Sequence, residues 1–141
     1  MKVASKLICL GLSILMVSFI GTAIQAAEEK VDVLIVTGFD VGSHKWEDST
    51  KLVQAILVKT GRFDVTVSQD KEVFASPTLK DYPVIVLLYG FWNEPDPSDK
   101  AKAGLIDYAK NGGNVVALHF ACSSFQDWKE HGNLIGRVWK K

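Results

Sequence analysis

The apolar positions of this chain fall into two alternating periods. Residues 31–37 (VDVLIVT) form a nearly unbroken β-branched run, as a strand covered on both faces requires. Over residues 45–60, Leu52, Val53, Ile56 and Leu57 recur at helical spacing, with Glu47 and Asp48 in the first turn and Gly61 closing the end. Residues 63–69 alternate Phe63, Val65 and Val67 with polar neighbours and predict a strand near the sheet edge. Residues 82–89 (YPVIVLLY) predict a second buried strand, with Pro83 tolerated near its start. Asp96 and Pro97 read as an N-cap and first helical residue, followed by a face of Ala101, Leu105, Tyr108 and Ala109 and a stop at Gly112-Gly113. Residues 114–119 (NVVALH) predict a fourth strand, and residues 128–139 a last helix weakened by Gly132 and Gly136. The pattern is β-α-β-β-α-β-α, with a short or irregular link between the second and third strands. It predicts a parallel sheet with helices on both faces.

The first 27 residues stand apart. Lys2 and Lys6 precede an apolar run from Leu7 to Ile20 and a small-residue stretch from Thr22 to Ala27, the layout of a secretory signal peptide cut after Ala26 or Ala27. An uncleaved membrane anchor is the competing reading, and the apolar run is short for one. Bulky Ile8 before Cys9 argues against a lipid anchor. The expected domains are therefore a leader over 1–27 and one α/β domain over 28–141, in a secreted or periplasmic protein.

Cleavage removes Lys2 and Lys6 from 16 basic residues and none of the 16 acidic ones. The small negative balance gives no reason to expect nucleic acid or an anionic membrane as partner. Cys122 is then the one thiol left, which excludes an internal disulfide and leaves a buried small hydrophobe or a reactive group. Roughly 115 residues suffice for one small domain.

The candidate chemistry lies where strands end. The fourth strand runs into His119-Phe120-Ala121-Cys122-Ser123-Ser124, and His44 follows the first strand. In a doubly wound sheet these two ends can flank one crevice, where two imidazoles act as acid and base, or take a divalent metal with Asp40 or Asp127 as third ligand. The competing reading makes His119 a loop-fixing side chain and His44 a solvated helix-entry residue. His131 reads as a surface residue. Trp46, Trp92 and Trp128 fall in or beside loops at the same end and suit the apolar faces of sugar rings, unless they merely lid the core. Gly38 and Gly42 do not make a dinucleotide fingerprint, so no nicotinamide cofactor is expected.

The segments VDVLIVTG, GSHKW, IDYAKNGGNVVALHFACSSFQDW and LIGRVW together resemble the ThuA-like (trehalose utilisation) family over essentially the whole of 28–141. The resemblance implies a three-layer, flavodoxin-like fold of class I glutamine amidotransferase type. It also implies a domain commonly about twice as long, with further strands and another histidine-bearing loop, so that this sheet is incomplete at its C-terminus. The amidotransferase nucleophile sits in a Gly-x-Cys-x-Gly elbow. Here the stretch reads His119-Phe120-Ala121-Cys122-Ser123, the cysteine falls one place late, both glycines are missing, and His131 lacks the downstream His-x-Glu pattern. Thiol amidotransferase chemistry is thus a remote alternative.

The resulting expectation is an exported ThuA-like protein acting on a trehalose-type disaccharide or sugar derivative. His119 and His44 are its candidate acid, base or metal-ligating residues, Asp127 orients an imidazole, and Trp46, Trp128 and Trp92 pack on the substrate. The alternative is a non-catalytic carbohydrate-binding or scaffold domain. No cofactor is evident beyond a divalent metal, and an uncovered sheet predicts a marginal product that self-associates.

Overall fold

The computed structural model describes residues 29–39, 44–90 and 94–139. The expected leader and Trp92, Asp40 and Gly42 lie outside them. Four parallel strands, β1 (Val31–Val36), β2 (Phe63–Ser68), β3 (Val84–Leu87) and β4 (Asn114–Ala117), form one sheet in the order β2-β1-β3-β4. Three helices, α1 (Trp46–Lys59), α2 (Asp99–Lys110) and α3 (Lys129–Ile135), pack around it. The unbroken apolar runs became the two inner strands and the alternating run became edge strand β2, because only an inner strand must be apolar on both faces. The irregular link between β2 and β3 is a pair of 3-10 turns, Lys71–Ala75 and Leu79–Asp81.

The two faces are built differently. Leu34, Val36, Ile85 and Leu87 point to one side, where Ala101, Leu105 and Tyr108 of α2 join Phe74, Leu79, Phe125 and Trp128 in the larger core. Gly104 lets α2 approach this closely, because a Cβ there would lie 2.0 Å from the Phe74 carbonyl oxygen. Tyr108 Oη donates to the Tyr82 carbonyl at 2.9 Å, tying α2 to the entrance of β3. On the opposite side Val33, Ile35 and Val86 meet Val53 and Leu57 of α1.

The start of α2 differs from the expected cap. Ser98, and not Asp96, is the N-cap; its hydroxyl accepts from the Ala101 N–H at 3.2 Å. The Ser98 hydroxyl and N–H both donate to the Glu72 carboxylate, which holds that carboxyl below its ordinary pKa. Asp96 instead pairs with Lys102 at 3.1 Å. The cap is chosen by the long-range bridge from Glu72, which sequence spacing does not reveal.

The apolar stripe expected on α1 is split. Val53 and Leu57 pack on the sheet, whereas Leu52 is 61% and Ile56 56% exposed. The side of the sheet under α1 therefore has less covering than the helix pattern prepared it for.

Candidate functional site

Three strand ends converge at the C-terminal edge of the sheet. After β1 the chain passes Thr37, whose hydroxyl shares a buried 2.7 Å hydrogen bond with that of Thr50. That bond fixes the first turns of α1 against the strand end and with them His44 and Trp46, at and just before the helix start. After β3 come Leu88, Tyr89 and Gly90. After β4, Leu118 leads into a 3-10 turn over His119–Ser123.

His44 and His119 meet here, with ring centroids 5.0 Å apart. Phe120 packs on His44 at 4.4 Å and backs the imidazole from the side of β4. A Cβ on Gly90 would lie 2.7 Å from Phe120 Cδ1, so the segment after β3 carries the one residue type that seats this ring. The two imidazoles border two hollows. One, of about 280 Å³, is walled by Phe39, Trp46, Leu88 and Leu118; the other, of about 270 Å³, by Phe120, Cys122 and Trp139. Among the described residues lining either one there is no carboxylate, lysine or arginine.

The backbone at this edge is strained. His119 has φ 47° and Phe39 φ 65°, left-handed values that cost a non-glycine residue about 1–3 kcal/mol and persist where surrounding structure enforces them. The sharp strand-to-helix turn thus carries His119 at its strained position. Cys122 comes three residues later, inside the 3-10 turn, half-buried, with its carbonyl accepting the Trp139 N–H at 2.8 Å. The residue at the strained position is an imidazole, and the thiol lies further along the turn against the smaller hollow.

The other candidates separate from this pair. Trp46 lines the larger histidine hollow. Asp127 is exposed and lines a different hollow with Gln126, Lys129 and Asn133, not either of those bordered by the imidazoles. Trp128 is only 5% exposed and belongs to the larger core, because its ring lies inward against Phe125 and His131. Trp92 lies outside the described residues. Among the described residues no three His, Cys, Asp or Glu side chains are grouped to hold a metal ion. The imidazole pair offers two donors.

His131 is a correction. It is fully buried, with Phe125 edge-on at 5.0 Å and Trp128 stacked at 5.6 Å. Neither ring nitrogen has a hydrogen-bond partner, and burial pushes its pKa down to about 4. A polar residue between Glu130 and Gly132-Asn133 reads as surface in sequence; α3 turns it inward because its apolar neighbours Leu134 and Ile135 also face the core. Trp139 and Phe120 were missed as site residues. The Gly-Arg-x-Trp segment signalled the first, but nothing local showed that it folds back to the histidines.

The ThuA family model, described as trehalose utilisation, matches residues 32–141. The chain belongs to the ThuA family. A solved ThuA-like protein from Parabacteroides merdae ATCC 43184 is 27% identical, with a TM-score of 0.61 over 74% of this chain and 37% of that one. A second ThuA-like structure, from Bacteroides uniformis ATCC 8492, is 20% identical, with a TM-score of 0.55 over 79% of this chain and 46% of that one, and shows the fold. The chain thus spans less than half the length of either structure. None of the curated proteins matches it. The three-layer α/β, flavodoxin-like architecture expected from the resemblance is the one observed, and the chain is a trehalose-utilisation-related domain.

Proposed function

We propose that this ThuA domain acts on a carbohydrate, a trehalose-type disaccharide or a derivative of one, in the crevice between β1 and β4, with His44 and His119 as its acid and base. The observation that carries the reading is the pairing of these imidazoles, 5.0 Å apart, at the carboxyl ends of the strands. Histidine changes protonation near neutral pH, so one neutral ring can accept a proton from a sugar hydroxyl or an adjacent carbon while a charged one delivers a proton to the leaving or developing oxygen. The apolar walls limit competing water and strengthen each polar contact. Trp46 is the proposed packing surface on the α1 side. The described residues supply two donors and not three to a divalent metal, so no step is routed through one.

The 1–27 segment supports export, to the periplasm or outside the cell, with no membrane contact after cleavage. The chain's charge balance gives no support to a nucleic-acid partner. The competing class, a non-catalytic sugar-binding or scaffold domain, uses the same crevice.

His119→Ala separates the two classes, with trehalose binding followed by calorimetry and trehalose conversion by chromatography. Catalysis predicts conversion by the native protein that the variant loses while it keeps affinity. Binding without conversion in the native protein, with affinity lost in the variant, would replace the catalytic reading by the binding one. A native protein that neither binds nor converts trehalose or related disaccharides defeats both.

A further inference from the structure

We propose that Trp139 is a stacking platform for a pyranose ring at the mouth of the histidine crevice, held there by the segment that follows α3; this rests on the carbohydrate reading above. The helix ends at Gly136, whose φ of 81° turns the chain back on itself. Val138 then lies against α3, with its Cγ2 2.9 Å from where a Cβ on Gly132 would stand, so a glycine at 132 is what lets the segment lie flat. Two contacts fix the backbone of Trp139. Its N–H donates to the Cys122 carbonyl at 2.8 Å, and Gln126 Nε2 donates to its carbonyl oxygen and to that of Ser123, both at 2.8 Å.

This clamp leads to an unusual result for the largest side chain of the set. Trp139 is 64% exposed while Trp128, eleven positions earlier in the same region, is 5% exposed. The clamp's bonds hold the backbone from which the indole projects, so that segment need not be ordered when a ligand arrives. The ring walls the smaller hollow together with His44 and His119. An aromatic face beside two groups that donate and accept hydrogen bonds suits a pyranose, whose C–H face is apolar and whose rim carries hydroxyls. Trp46 lines the larger hollow as Trp139 lines the smaller, so each has an indole beside the imidazole pair, which suits a ligand of two rings.

The test uses the whole chain, with trehalose as probe and the indole N–H resonances as readout. Trp139 is assigned by the signal that disappears in Trp139→Phe. Trehalose is expected to move that signal; Trp139→Ala to weaken binding about tenfold; and Trp139→Phe to stay within about threefold of the native protein, as loss or retention of one aromatic stacking contact implies. An unchanged amide spectrum outside residues 119–139 shows that each variant is folded. Trehalose binding that leaves the Trp139 signal still and survives Trp139→Ala overturns the platform and spares the carbohydrate reading. No binding of trehalose or glucose by the native protein overturns the platform and the carbohydrate reading together.

Discussion

The two faces of the sheet received similar apolar material and treat it differently. On one face α2, the two 3-10 turns, the turn after β4 and α3 enclose Leu34, Val36, Ile85 and Leu87 completely. On the other, α1 covers Val33, Ile35 and Val86, but the row that contains them ends in Val67 and Val116, which are 36% and 41% exposed. Leu52 and Ile56 of α1 extend the same exposure outward. Apolar burial contributes roughly in proportion to area removed from water, so the enclosed face carries most of the stability. The larger of the two hollows bordered by His44 and His119 lies where the lightly covered face meets the strand ends.

The sharpest test of this contrast is a paired truncation. Leu105→Ala, fully buried between α2 and the sheet, is expected to cost about 2–5 kcal/mol, whereas Val53→Ala on α1 is expected to cost about 1 kcal/mol. Urea midpoints measure both, and equal losses would break the comparison.

Acid should act through the enclosed face. His131 has a pKa of about 4 when folded against an ordinary 6.5, so the native state holds it neutral and the unfolded chain takes up the proton first. Its contribution is present in full above pH 6.5 and is lost as pH falls towards 4, amounting to about 3 kcal/mol. Unfolding curves between pH 7.5 and 4 should show this decline, and His131→Phe should flatten it. A slope unchanged by that substitution would place the acid sensitivity elsewhere.

The cap of α2 is a smaller matter. Ser98→Ala removes the bond from Ala101 and a hydroxyl from Glu72, and about 1 kcal/mol should be lost in the same urea assay. Ile56→Gln, on the exposed stripe, should change stability by less than about 0.5 kcal/mol. Its effect should appear in sedimentation velocity, as reduced self-association at high concentration; identical profiles would show that this stripe is not an associating surface.

Much of the architecture was legible because strand and helix periods are local. Buried β1 and β3, edge strand β2 and the inward face of α2 all follow from which residues alternate and which recur every third or fourth place. What failed to show depended on distant partners. Asp96 read as the cap, whereas Ser98, bridged to Glu72, takes that place, and Leu52 looked like Val53 until the reach of the sheet was known. The histidines illustrate both sides. His44 and His119 were recognised as strand-end residues, and the sheet order put their strands on either side of β3. His131 was misread because one turn of α3 decides its direction.

The sequence by itself determined the elements, their order, the parallel α/β class and the resemblance to the ThuA family, because each is written in spacing or in motifs along the chain. The tertiary structure alone decided that His131 is buried and unpaired, that Asp127 lies away from the imidazoles, and that Trp139 returns to them while Trp128 enters the core. Those outcomes depend on which surfaces remain open once the sheet is assembled, and solvent exposure is a property of the assembled surfaces that no local period encodes.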